Sequence, residues 1–518
     1  MLSLLVLVLL LGVLLLVCKC GHREAGLPPG PSTLPFIGNL HIFPTQHIHK
    51  FTEWAHKYGG IYSLKIGPTT AIVLSDPSIV KDLMERRSAT SSDRPRMHIG
   101  DVIHGGLNIA FISGGDTWRT LRRAAHAVLK RPSAALHIPI QQAEAIQLLN
   151  DMLNAPEAFY SHVDRYSNSV ILSVVYGKRA PRKDTPELVA FFQVLHDWLS
   201  ILEPGAAPPV DLIPALKLIP DRWAKWKRTA RRIRQAQRRL LFGLLEAVED
   251  RVSRGRENGS FVEQVLAKQT ELRLDREMTA YLAGALVEGG SETTSAYLNS
   301  FILCLVAFPE AQRKAQDEMD RVVGKDRLPT LDDLHHLSYV RAIILETHRF
   351  RPNVPLFIPH AFSASEKVGE YIIPSGSTVF VNAWGILHDP VFYDDPEAFV
   401  PERFLLTTNG TKPALESPTI PSPNLTFRVG RRSCPGIHLA QNAININVMN
   451  LIWAFDFQPD VHADGSPIQP DISVSAYTKG IMSTPLPFKC TITPRSLNKA
   501  DIIRREFEEA ASVFDKFE

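Results

Sequence analysis

The sequence predicts a mainly helical protein: one large body, a smaller strand-bearing part and a membrane-spanning N-terminal helix. Three observations carry this. Helical periodicity dominates from Pro77 to about Phe350. Strand-like patterns are confined to residues 61–75 and 366–380. The stretch from Met1 to Cys18 holds no charged side chain and is mostly Leu and Val. At 518 residues the chain is long enough for two domains. No internal repeat and no second core is visible, however, so residues 39–495 read as one unit.

The elements follow in order. As a helix, residues 1–18 span ~27 Å at 1.5 Å per residue, close to the hydrocarbon thickness of a bilayer. Lys19 and Arg23 follow the run and no basic residue precedes it, which keeps the remainder cytosolic. A cleaved secretory signal is the rival reading, but the basic n-region and the small-residue cleavage site are missing. The reading is a retained single-pass anchor of the endoplasmic reticulum. Sequons at Asn258, Asn409 and Asn424 test it, since a cytosolic body leaves all three unglycosylated. Residues 19–38, with Leu27-Pro28-Pro29-Gly30-Pro31, read as a basic, proline-rich, stiff hinge. Ile61 to Ile66 and Ala71 to Leu74 read as a hairpin. Arg222 to Arg239 carries nine Lys or Arg residues and reads as a basic helix with a solvated face, contact with anionic lipid being the sharper alternative. Short strands return from Glu366 to Phe380. Residues 385–425 read as a long irregular segment, Ile437 to Phe455 as a buried helix, and residues 496–518 as a charged, frayed helical tail.

Composition is ordinary globular. A net charge of +3 with 45% hydrophobic residues says little about partners, and beyond the basic run at 222–239 nucleic-acid binding has no support. The five cysteines, Cys18, Cys20, Cys304, Cys434 and Cys490, are odd in number and scattered, which argues against a disulfide framework.

The most informative stretch is Phe427-Arg428-Val429-Gly430-Arg431-Arg432-Ser433-Cys434-Pro435-Gly436. A thiolate persists near positive charge and backbone N–H donors. Arg432 offers the charge, and a helix opening at Pro435 offers the donors. Gly430 and Gly436 let the backbone approach a flat ligand. That is the chemistry of a cysteine on haem iron; the bland alternative is a buried structural cysteine. Elsewhere, Gly289-Gly290-Ser291-Glu292-Thr293-Thr294 interrupts an apolar helix running from Tyr281 to Ala307. Two interior glycines cost about 1 kcal/mol each, so close helix packing or a functional opening must compensate. Glu346 and Arg349 share a helix face, as do Trp118 and Arg122.

The cysteine stretch has Phe seven residues before the Cys, Gly four before, Arg two before and Gly two after. It resembles the haem-binding loop of the cytochrome P-450 superfamily, in its microsomal, fungal-like form. The resemblance runs from Leu27 to about Pro494. It implies the superfamily fold, mainly helical around haem b with a β-rich region drawn from both ends of the sequence, and a monooxygenase activity. Cys434 is then the axial iron ligand. Phe427 and Gly436 border the haem, and Trp118, Arg122, His360 and Arg432 hold its propionates. Gly289 to Thr293 looks like the distal-helix motif, where the helix opens to admit O2 and Glu292 with Thr293 relays protons. Glu288, one turn earlier, reads as a salt-bridged or solvent-facing acid, contact with substrate being the sharper alternative. Glu346, Arg349 and Arg403 match a buried structural cluster. With no Gly-x-Gly-x-x-Gly after a strand, electrons must come from outside; the implied partner is a membrane-bound NADPH-dependent flavoprotein reductase docking near Arg431. By position the pocket draws on residues 100–112, 190–220, 281–293, 353–358 and 477–482. Leu107, Phe111, Ala285, Leu356, Phe357 and Ile481 make it apolar, which points to a lipophilic small molecule, a secondary metabolite such as a terpenoid. Two rivals are a haem-thiolate isomerase or dehydratase, against which Thr293 counts, and a non-catalytic haem sensor, which has no use for a proton relay.

Overall fold

The computed structural model describes residues 21–43, 47–201, 206–415, 420–423, 425–427 and 430–518. The expected anchor at 1–18 and the Asn424 sequon lie outside them. Among the described residues no helix is long and apolar enough to cross a membrane.

The main elements in chain order are α1 (His47–Tyr58), β1 (Ile61–Ile66), β2 (Thr69–Leu74), α2 (His98–His104), α3 (Asp116–Leu129), α4 (Ile138–Asn154), α5 (Phe159–Tyr176), α6 (Pro186–Ser200), α7 (Lys225–Ser253), α8 (Arg276–Ala307), α9 (Pro309–Val322), α10 (Ser338–Phe350), β3 (His360–Ala361), β4 (Glu366–Val368), β5 (Tyr371–Ile373), β6 (Thr378–Val381), α11 (Ile437–Ala454), β7 (Phe455–Val461), β8 (Pro467–Ile468), β9 (Cys490–Pro494), α12 (Leu497–Glu509) and α13 (Ala511–Phe514). Shorter turns carry no label. α8 is capped by Asp275, whose side chain accepts from the Met278 N–H. It runs through the helical body, packed along α5, α11 and α10. Its apolar residues point all round, as a helix wrapped by others requires.

One sheet has the order β1-β2-β6-β3. β1 and β2 are antiparallel, with Ile61 opposite Leu74. β2 and β6 are parallel, with Ile72 opposite Val379, and β3 is antiparallel to β6, with His360 opposite Val379. Distant chain segments thus meet in one sheet, and this register delivers His360 to the body. The sheet is covered on both faces by two small apolar clusters separate from the helical core. That burial takes in polar residues: Lys65 is enclosed, pairing with Glu24 at 2.7 Å and donating to Thr70 Oγ1 at 3.0 Å. A second, two-stranded sheet pairs β4 with β5, and a third, β8-β7-β9, was not foreseen.

Residues 21–38 pack against the body: Arg23 donates to Ser63 Oγ at 2.9 Å and to the Gly30 and Pro31 carbonyls at 3.1 and 2.8 Å. One expectation is corrected here. The C-terminal segment is no frayed tail. Ile502, Ile503, Ala510 and Phe514 are buried. Lys499 and Arg495 pair with Asp320 of α9, and Arg179 pairs with Glu518 at 3.1 Å and stacks on Phe514. This docking also engages Asn258, whose Nδ2 donates to the Gly177 and Lys516 carbonyls at 2.7 and 2.9 Å. Folded protein leaves that sequon no free amide in any compartment, so Asn409 is the described residue that reports topology. The basic helix is α7. Arg234 and Arg238 pair with Glu277, Trp226 is buried and Trp223 is exposed.

Candidate active site

The Cys434 loop is shaped by backbone contacts. The Cys434 N–H donates to the Phe427 carbonyl at 2.9 Å, and residues 430–432 form a 3-10 turn. Gly430 has φ 53°, and a Cβ there would overlap the Met84 carbonyl, so only glycine fits. α11 opens at Ile437 with Gly436 as its N-cap; Pro435 precedes the helix instead of starting it. Burial pushes the Cys434 thiol up, while the Gly436 N–H and the nearby Arg122 guanidinium pull it back. The charge therefore comes from Arg122 and not from Arg432. Arg432 instead donates to the carbonyls of Ser92, Ile109 and Ile112 at 2.8, 3.1 and 2.8 Å.

Cys434 borders an internal cavity of ≈ 330 Å³. Phe427, Gly436 and the first turns of α11 line it as well, and α8 lines it through Ala285, Leu286, Gly289, Gly290 and Thr293. Trp118, Arg122, Arg432 and His360 all reach the cavity, and among the described residues no carboxylate lines it. The Arg432 guanidinium lies 4.2 Å from the Trp118 ring centre. Arg122 Nη2 donates to Ser433 Oγ at 3.3 Å. His360 Nδ1 donates to the Ser91 carbonyl at 3.0 Å, and burial, reinforced by Arg94, brings its pKa to about 3, so it is neutral. Arg94 was missed by sequence reasoning. Its guanidinium donates to the Ala110, Ile358 and Pro359 carbonyls at 2.7–2.8 Å. Burial and then repulsion from Arg432 bring it down to about 9. No periodicity marks Arg94, and its role arises only where three loops meet.

The α8 motif divides its labour. A Cβ on Gly290 would come to 2.5 Å from Ile171 Cγ1, and Ser167 Oγ donates to the Gly290 and Ser291 carbonyls at 3.0 and 2.6 Å. Gly290 thus serves close packing with α5. Gly289 has no protein atom within 4 Å of its Cβ position and faces the cavity. The helix stays continuous here and does not open. Thr293 lines the cavity, its hydroxyl donating to the Gly289 carbonyl at 2.8 Å, and Asn353 Nδ2 donates to the Thr293 carbonyl at 2.7 Å. Glu292 is off the wall. Burial, then the nearby Asp164 of α5, raises its pKa. Glu288 is half-buried and has no ion-pair partner among the described residues: it accepts from Asn108 Nδ2 at 3.0 Å, and burial pushes it up to about 7.

Of the apolar residues expected around the pocket, Ala285 and Phe357 border it. Phe357 does so with a strained φ of 53°. Phe111 instead packs edge-to-face on Trp198 at 6.0 Å, Leu356 joins the cluster around Phe51, Leu107 packs on the helical core, and Ile481 lies off the wall. No described residue of 190–220 or 477–482 contributes. Behind the cysteine loop, Glu346 accepts from Arg349 Nε and Nη2 and from Arg403 Nε, all buried.

The cytochrome P450 family matches residues 28–490. A cytochrome P450 monooxygenase of Armillaria gallica is 45% identical over 512 residues, 98% of this chain and 97% of that one. Another, from Arthrobotrys oligospora, is 40% identical over 96% of this chain and 94% of its own. The chain belongs to the cytochrome P450 family. Its P450 fold is matched by a zebrafish cytochrome P450 solved with progesterone, with TM-score 0.71 and 27% identity, over 86% of this chain and 99% of that one. As a P450 monooxygenase the protein is an oxidoreductase with haem iron as cofactor. The cavity fits that group. A sulfur on one wall offers a ligand. The open space at Gly436 leaves room for a flat ring. Arg94, buried, and Arg122 and Arg432, half-buried, with no acid on the wall among the described residues, suit a group that brings its own carboxylates.

Proposed function

We propose that this P450 is anchored by residues 1–18 in the endoplasmic reticulum membrane with its body in the cytosol. It takes electrons from an NADPH-dependent flavoprotein reductase and inserts one oxygen atom of O2 into a lipophilic small molecule. One observation carries the reading: Cys434 and the Gly289, Gly290 and Thr293 positions of α8 line a single, mostly apolar cavity.

Bound there, haem iron supplies oxygen activation, which a thiolate ligand favours by donating electron density. The chain's own residues do the rest. Cys434 gives up its proton on ligation, and Arg122 with the Gly436 N–H steadies the sulfur's charge. Trp118, Arg122 and Arg432, with Arg94 beside them, would hold the propionates, and His360, whose one ring proton is given to the Ser91 carbonyl, would join them only by taking up a second proton as those carboxylates arrive. Gly289, without a side chain, would keep the cavity beside it open. Thr293 holds a hydroxyl at the cavity, able to donate and accept. Glu292, with its raised pKa, stands behind it as proton source and exchanges with the exterior past Asp164. Apolar residues such as Ala285, Leu286 and Phe357 exclude water and select a lipophilic substrate. Trp223 and the basic face of α7 give a second contact with anionic lipid.

The experiment is a reduced, carbon-monoxide difference spectrum of the purified protein, followed by NADPH consumption with reductase and candidate substrates. A thiolate-type Soret band that Cys434→Ala abolishes supports the reading. A red Cys434→Ala protein that still oxidises substrate overturns it.

A further inference from the structure

Between α2 and α3 the chain forms a loop that contributes Ile109 and Ala110 to the cavity wall. Gly105 and Gly106, both left-handed (φ 63° and 70°), separate it from α2, and Gly114-Gly115 precede α3. Side-chain contacts, not continuous secondary structure, therefore hold it. On the Cys434 side, Arg94 grips the Ala110 carbonyl, and Arg432 grips those of Ile109 and Ile112. On the α8 side the grip is Asn108. Its Nδ2 donates to Glu288 Oε2 at 3.0 Å. Its Oδ1 accepts the Ala110 N–H at 3.0 Å, and its carbonyl accepts those of Phe111 and Ile112 at 3.0 Å. Asn108 is 3% exposed, so losing its partner leaves Nδ2 with a desolvation cost. Glu288 adjoins Gly289 and lies one turn from Ala285, both on the cavity wall.

We propose that the Glu288–Asn108 hydrogen bond is a latch that holds the 107–113 loop against α8 and thereby sets which ligands the cavity accepts, both residues acting as positioning residues. This rests on the cavity being the substrate site of the proposed monooxygenase. The latch needs an acceptor at position 288, and a carboxyl oxygen serves whether or not its partner oxygen is protonated.

The test uses purified holoprotein with hydrogen exchange and two iron-binding probes. Glu288→Ala lies on α8, yet it is expected to speed exchange at the Ala110, Phe111 and Ile112 amides about fivefold. Glu288→Gln keeps an acceptor and should keep their protection. Affinity for 4-phenylimidazole should change about threefold in Glu288→Ala and in Asn108→Ala, with no further change in the double variant. Affinity for imidazole, too small to reach the loop, should stay constant. If the alanine variants fail to load haem, Asn108→Asp decides, with exchange followed at pH 9, where both carboxyls are ionised and share no proton: it should loosen the loop by setting two carboxylates together, and Glu288→Gln added to it should restore protection. Unchanged exchange in Glu288→Ala, additive effects in the double variant, or no rescue of Asn108→Asp would each overturn the latch. A wild-type protein lacking the thiolate-type Soret band would instead overturn the monooxygenase reading.

Discussion

Arg349 closes Nε and Nη2 onto the Glu346 carboxylate at 2.7 and 2.8 Å, with side chains 1% and 0% exposed. The same carboxylate accepts the Val400 N–H at 2.8 Å and Arg403 Nε at 3.4 Å. Arg349 also caps the Leu387, Pro396 and Ala398 carbonyls. One helix is thereby tied to the irregular segment that leads into the cysteine loop. Arg349→Ala leaves the buried carboxylate with only the Val400 N–H and the longer Arg403 contact and strands the Leu387 and Pro396 carbonyls, and breaking a buried pair costs up to about 3–5 kcal/mol. The expected outcome is protein with little or no haem, read from the carbon-monoxide spectrum, and a lowered unfolding midpoint. Near-normal haem content would show that the cluster is dispensable.

Acid should destabilise the protein through buried neutral histidines. His104 and His137 are both brought down to about 4 by burial. Unfolded, they bind protons below about 6.5; folded, they do not until about pH 4. The stability they provide is complete above pH 6.5 and is lost as pH falls toward 4, by up to about 1.4 kcal/mol per pH unit for each. Glu288 acts in the opposite sense. Its raised carboxyl favours the fold at low pH, and that advantage disappears as pH rises from about 4.5 to about 7. Denaturant midpoints at pH 7.5, 6 and 5 should therefore fall with acid. The fall should shrink in a His104→Gln/His137→Gln protein.

Deleting residues 496–518 should damage the body and not merely trim it. Ile502, Ile503 and Phe514 are buried, each contributing about 1.5–3 kcal/mol. Removal also exposes their apolar seats along α4 and leaves Arg179 without Glu518 and Phe514. A truncated protein should melt several degrees lower and aggregate sooner. Calorimetry showing an unchanged midpoint would mean that the segment is docked without effect.

How much of this was legible follows from what each feature depends on. The cysteine loop was readable because its spacing is local. The helical stretch ending at Phe350 was readable because an amphipathic period survives in sequence. Arg94 was not, since its partners Ala110, Ile358 and Pro359 come from loops brought together only by the fold. Leu356 and Phe111 are apolar like Phe357, and hydrophobicity alone does not tell a core position from a cavity wall. In the C-terminal helices the charges of the exposed face masked the stripe of Ile502, Ile503, Ala510 and Phe514. The source of charge beside Cys434 was misassigned because Arg432, nearer in sequence, is engaged by three backbone carbonyls, whereas Arg122 reaches the sulfur from another helix.

The two glycines of α8 make a paired experiment in which the same substitution should act through different physics. Gly290→Ala puts a methyl group at 2.5 Å from Ile171 Cγ1, in an interface where Ser167 already holds the backbone close. Either α5 moves or Ile171 leaves its rotamer, at about 1–3 kcal/mol, which outweighs the helix propensity gained, about 1 kcal/mol. Gly289→Ala meets nothing within 4 Å, so propensity alone should raise stability by up to about 1 kcal/mol. Its methyl group enters the cavity facing Cys434, where it takes space needed by a ligand on the iron. Gly290→Ala is thus expected to lower the unfolding midpoint with ligand affinity little changed. Gly289→Ala should hold or raise the midpoint while weakening carbon monoxide and imidazole binding. If both variants shifted stability alike and left ligand binding untouched, the assignment of Gly289 to the open face of α8 would be wrong.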